Sequence, residues 1–217
     1  MIQNQQLMNN SKKISLLFAI ITTVVACKNS SSKTTEDNII KKDTIESIPK
    51  IKSVKPTFSK KLSLNTISFE IILIDKQLSI QPSGLSIDNT KVSKDIEGSV
   101  TNAEIGDLNN DGFPEVLVYI TSDGSGSYGT VIGYSVNNGK SMSEIYMPNI
   151  VDNPKASKGY MGHDEFAIVE NSFYQRFKTY NPGDTNSNPT GKIRQIQYKL
   201  KDGENSRVFV VDKITEY

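Results

Sequence analysis

The sequence predicts an all-β protein, an antiparallel β-sandwich over residues 61–217. Three observations predict it. From about Leu62 apolar residues recur at every second position, as at Ile67, Phe69, Ile71 and Leu73 between Ser68 and Glu70, though Ile72 breaks the strict alternation. That period belongs to a strand with one buried face. Turn sequences recur through the same stretch, at Asn110-Asp111-Gly112, Asn137-Asn138-Gly139, Asn181-Pro182-Gly183 and Asp202-Gly203. No apolar stripe of period 3.6 follows residue 60. Short strands bounded by such turns argue for a sandwich or barrel.

The elements follow in chain order. Lys12 and Lys13 precede residues 14–26, a run of about thirteen residues without charge that ends in Val24-Val25-Ala26-Cys27. A basic head and an apolar stretch form an export signal. The stretch is too short to span a bilayer, which takes roughly 20 apolar residues. A small residue before Cys27 resembles a bacterial lipobox, so residues 1–26 are expected to be a lipoprotein signal peptide and Cys27 the lipidated residue. Met8 gives a start with a conventional signal length. Residues 27–60 are rich in Ser, Thr, Lys and Asn, contain Pro49 and Pro56, and sustain no apolar face. They are expected to form a disordered tether. Lys28 is not the Asp that commonly retains lipoproteins in the inner membrane, which points to the outer membrane, with the domain facing the periplasm.

Beyond the tether, residues 116–120 form a continuous β-branched and aromatic run, and residues 130–136 alternate more loosely. Residues 166–169 and 173–180 flank Glu170-Asn171-Ser172 and read as a hairpin. Ile196, Tyr198 and Leu200 point one way while Gln195, Gln197 and Lys199 point the other. A turn at Lys201-Asp202-Gly203-Glu204 leads to a last strand at residues 208–211.

Composition excludes several function classes. The chain has 25 Lys+Arg against 24 Asp+Glu, a formal charge of +1. Loss of Lys12 and Lys13 with the signal leaves it near neutral, with no electrostatic reason to hold nucleic acid. Apolar residues make up 36% and there is no Trp, which favours a thin β core. Cys27 is the single cysteine and His163 the single histidine. Neither an internal disulfide nor a zinc site built on several Cys or His ligands is available.

Three segments could carry chemistry. In Asp107-Leu108-Asn109-Asn110-Asp111-Gly112-Phe113-Pro114-Glu115, Asp107, Asn109, Asp111 and Glu115 place oxygens at positions 1, 3, 5 and 9 around a Gly at position 6. Calcium loops use that spacing, although an EF-hand also needs Glu at position 12, where Val118 stands. The plainer reading is an Asn/Asp/Gly turn between two strands. Ser122-Asp123-Gly124-Ser125-Gly126-Ser127-Tyr128-Gly129 sets one Tyr among three glycines. It lacks the Gly-Lys-Ser/Thr ending of a phosphate loop. It reads either as a flexible hairpin tip or as a contact loop, since exposed Tyr dominates interface hot spots. His163, in Gly159-Tyr160-Met161-Gly162-His163-Asp164-Glu165-Phe166, could act as a general base with Asp164 or Glu165. No nucleophile motif accompanies it, and adjacent carboxylates on a strand face opposite ways. No enzymatic activity is expected.

Taken together, these segments resemble the periplasmic inhibitors of invertebrate-type lysozyme. The blocks are Gly106-Asp107-Leu108-Asn109 through Tyr119, Ser125-Gly126-Ser127-Tyr128-Gly129 and Asn138-Gly139-Lys140-Ser141. They continue with the Gly159 block through Ala167, Pro189-Thr190-Gly191, and Arg194-Gln195-Ile196-Gln197-Tyr198-Lys199-Leu200. The resemblance covers about residues 98–217 and implies a β-sandwich that inserts a loop into the lysozyme cleft. It assigns the lysozyme-binding residues to Ser125, Gly126, Ser127 and Tyr128. The Ser-Gly-Ser-Tyr spacing is one residue shorter than the motif of related inhibitors of chicken-type lysozyme, which favours the invertebrate-type target. The expected partners are that lysozyme and, through the lipid at Cys27, a membrane; a homodimer is left open. No cofactor is required, calcium at the Asp107 loop being the one candidate. The alternative from another class is a calcium-dependent surface adhesion or glycan-binding β-domain that stacks ligand on Tyr160 or Tyr128. A third, a hydrolase, would centre on His163.

Overall fold

Residues with left-handed backbone make the tight turns that fold this chain into successive hairpins. Asn65 and Asp75 turn the first two, Asn138-Gly139 a third and Glu170-Asn171 a fourth, all at positive φ. Only Asn138-Gly139 is the Asn-Gly pair that such turns favour. The computed structural model describes residues 54–217. The signal peptide, Cys27 and most of the tether lie outside the described residues. Among these, β1 (Phe58–Leu64), β2 (Ile67–Ile74), β3 (Gln77–Ser83) and β4 (Val92–Asp95) pair in sequence order as a first antiparallel sheet. A middle sheet follows from β5 (Ser99–Gly106), β6 (Glu115–Thr121), β7 (Gly129–Asn137) and β8 (Ser141–Ile145). The third has β9 (Glu165–Val169), β10 (Ser172–Lys178), β11 (Ile193–Asp202) and β12 (Arg207–Glu216). A 3-10 turn at Ile150–Asp152 and one helical turn, α1 (Pro154–Ser157), lie between β8 and β9. None of the described helices is long and apolar enough to cross a membrane.

The expected all-β antiparallel sandwich is present, and no sheet closes into a barrel. It has three layers. Val116, Val118 and Ile120 of β6 pack with Phe69, Ile71, Leu78 and Ile80 of the first sheet. Leu117 and Tyr119, on the other face of the same strand, pack with Phe173, Ile196, Tyr198 and Phe209 of the third. The middle sheet is therefore buried on both sides, which is why residues 116–120 form an unbroken apolar run and not an alternating one. Burying each of Phe69, Phe173 and Phe209 contributes about 1.5–3 kcal/mol.

Polar contacts stitch the middle and third sheets. Glu104 accepts from the Tyr119 hydroxyl and from the Ile168 N–H, both at 2.7 Å. Tyr146 continues β8 into a parallel bridge with Val208 of β12. The tether expected through residue 60 ends earlier, since Phe58 already pairs with Leu73. Strands β1, β3, β4, β5 and β8 are not among the individually expected ones; each carries few strongly apolar positions.

Candidate functional site

The segment between β6 and β7 is an ordered loop. Its base closes where Ser122 N–H donates to the Tyr128 carbonyl and Tyr128 N–H to Ser122 Oγ, each at 2.9 Å. Inside it, Ser127 N–H donates to the Gly124 carbonyl at 3.0 Å, with Ser127 at a φ of 45°. A Cβ on Gly126 would lie 2.4 Å from the Tyr128 ring, so the ring folds back over that glycine. Three successive carbonyls of the loop are tied to the rest of the molecule. Asn186 Nδ2 donates to the Ser125 carbonyl at 2.6 Å, and His163 N–H donates to those of Gly126 and Ser127 at 3.0 and 3.2 Å. Gly162 comes so near that an added Cβ would meet the Gly126 oxygen at 2.0 Å. The flexible-tip reading is thus replaced by a braced loop. Ser125 is exposed, Gly126 and Ser127 are half-buried, and Tyr128 keeps 48% of its surface exposed.

Beneath the loop lies a buried polar hub. Asp164, just before β9, accepts from the Gly129 N–H at 2.7 Å, from the Tyr160 hydroxyl at 2.6 Å and from Gln175 Nε2 at 2.6 Å. Gln175 in turn accepts from the Tyr198 hydroxyl at 2.6 Å. Burial holds the Asp164 carboxyl above the usual aspartate range, with its three donors working against that shift. Burial also pushes the Tyr160 hydroxyl up, and the Asp164 charge adds to it. Tyr160 meets the Tyr128 ring edge-on at 5.7 Å and Phe177 at 4.7 Å. Edge-to-face aromatic pairs of this kind are worth about 0.5–1.5 kcal/mol beyond area burial. Beside the loop opens a cleft of about 500 Å³, walled by Tyr128, Tyr160, Phe166, Met147 and Ile150 with Gln175 on its lining.

The Asp107 segment is a self-satisfied turn. The Asp107 carboxylate accepts from the N–H groups of Asp111 and Gly112, and Asp111 accepts from Phe113 N–H and Asn109 Nδ2. Asp107, Asn109 and Asp111 thus share one loop, but Glu115 does not join them as the ninth-position oxygen. Its side chain is fully buried and accepts from the Leu108 N–H at 2.7 Å and from Ser135 Oγ at 2.5 Å. Arg207 lies 2.7 Å from Asp111 and 3.6 Å from Glu115, and also bonds Ser135. Among the described residues no group of three or more His, Cys, Asp or Glu is placed to hold a metal ion.

His163 is a backbone brace with a positive φ of 58°, and its ring reaches only Asn186 at 3.4 Å. Asp164 turns inward and Glu165 is exposed, so the two carboxylates do not form a pair. The reading of the sequence missed Gln175, Asn186 and Arg207 as site residues. Nothing local marks them: Asn186 and Arg207 act across 61 and 72 residues, and Gln175 meets Asp164 and Tyr198 at separations of 11 and 23. Asp164 was noted only for acid–base chemistry, although it lies in the same Gly159 block. Comparisons with protein-family models, with curated proteins and with solved structures returned no match.

Proposed function

We propose that this protein is an exported, lipid-anchored inhibitor of invertebrate-type lysozyme that works by presenting Ser125, Gly126, Ser127 and Tyr128 to the enzyme's cleft. One observation carries the reading: the backbone of these residues is braced while Ser125 and Tyr128 stay exposed. A loop already in one pose loses little entropy on docking. A glycoside hydrolase cleft holds two carboxyl groups, at least one of them ionised. The hydroxyls of Ser125 and Tyr128 are suitable donors, and hydrogen bonds to charged groups contribute about 1.5–3 kcal/mol.

The test is a muramidase assay in which the purified protein is titrated against invertebrate-, chicken- and goose-type lysozymes. Stoichiometric inhibition of the invertebrate type alone is expected, and Tyr128→Ala should weaken it by at least about 2 kcal/mol, roughly 30-fold. An inhibition constant untouched by that substitution refutes the role of the loop. Inhibition of none of the three, together with glycan binding that a chelator abolishes, would instead favour the adhesion reading.

A further inference from the structure

The hub under the loop joins three separate parts of the chain at one carboxylate. Gly129 belongs to the end of the loop, Tyr160 to the segment that Tyr128 leans on, and Gln175 to β10. An ionised carboxylate has acceptor sites for all three donors; a protonated one carries a hydrogen of its own. At Oδ2, the oxygen that Gly129 and Tyr160 share, that hydrogen meets the Gly129 N–H, which cannot accept it, or the Tyr160 hydroxyl, which accepts it only by turning its own hydrogen away.

We propose that Asp164 is the positioning residue of the binding loop: its ionised carboxylate fixes the start of β7 and the Tyr160 ring, and protonation breaks that three-donor arrangement. This rests on the loop being the partner-binding surface. The groups that face Asp164 contain no counter-charge. Tyr160 comes from its own segment, Tyr128 stacks above Tyr160, and Tyr198 stands behind Gln175. His163 and Glu165 flank Asp164 in sequence and are exposed. None of the ion pairs among the described residues involves Asp164, so no guanidinium or ammonium holds it ionised at low pH. Burial raises its carboxyl from the ordinary range, so it takes up a proton at a pH where an exposed aspartate is still charged.

The experiment follows the Gly129 amide by NMR in the free, intact protein as the pH is lowered from neutral. A single inflection above the ordinary aspartate range, with a lower protection of the Gly129 amide relative to its intrinsic exchange rate on the acid side, is expected. In Asp164→Asn at neutral pH the inflection should be absent and Gly129 exchange at least about tenfold faster, with the lysozyme inhibition constant raised by a similar factor. A Gly129 amide that shows no inflection overturns the proposal, as does a folded Asp164→Asn protein with wild-type exchange. If that variant fails to fold, the wild-type titration decides alone. A wild-type protein that inhibits no lysozyme refutes the choice of partner, and the Gly129 titration then judges Asp164 by itself.

Discussion

At Gly162 the backbone holds a φ of +86°, and any side chain would collide with the Gly126 carbonyl. Gly162→Ala must push the loop off its support, at a cost of about 1–3 kcal/mol for the strained position. Inhibition should fall while the unfolding transition stays single; an unchanged inhibition constant would show that the loop does not need this brace. Glu115 carries a different constraint. Burial pushes its carboxyl up to about 7 from an ordinary 4.5, outweighing the Ser135 and Leu108 hydrogen bonds and the nearby Arg207. The native state therefore holds this proton more tightly than the unfolded chain does. The resulting stabilisation is complete below the unfolded value and is lost as the pH rises through the native one. Wild-type protein should lose on the order of 3 kcal/mol across that interval, a loss that Glu115→Gln should largely remove. Denaturant unfolding at a series of pH values checks this, and parallel profiles for the two proteins would refute it.

Among elements, β10 links core and site. Phe173 stacks on Tyr119, Phe166 and Tyr198 and meets Phe209 at a tilt, and two positions along the same strand Gln175 bonds Asp164. Phe173→Ala should cost about 3–5 kcal/mol, because so many rings cannot collapse into the space at once. Chemical denaturation measures this, and a cost below about 1 kcal/mol would mean the stack repacks freely. Elements with strong alternation were legible in the sequence, β2 and β11 above all. Strand β4, Val-Ser-Lys-Asp, has no fully buried residue and is defined by its pairing with β3. The Asn65 and Asp75 turns lack glycine, so the hairpins of the first sheet carried no strong turn sequence.

Across the whole molecule, the loop, the cleft and the hub all lie where the middle and third sheets meet. Their residues come from the β6–β7 loop, the start of β7, the stretch between β8 and β9, β9 to β11 and the β10–β11 connection. The first sheet supplies none of them. It covers the other face of the middle sheet, and without it Val116, Val118 and Ile120 would be open to water.

The sequence by itself determined the all-β class and most of the strands that pack between the middle and third sheets. These depend on period-two alternation and on turn residues, which are local properties of the chain. Tertiary structure alone decided that there are three layers, that Arg207 stands against the Asp107 turn, and that Asp164 gathers Gly129, Tyr160 and Gln175 beneath the loop. Each of these depends on residues distant in sequence meeting at one point, and a pattern of period two records which face a side chain takes but not what it meets there.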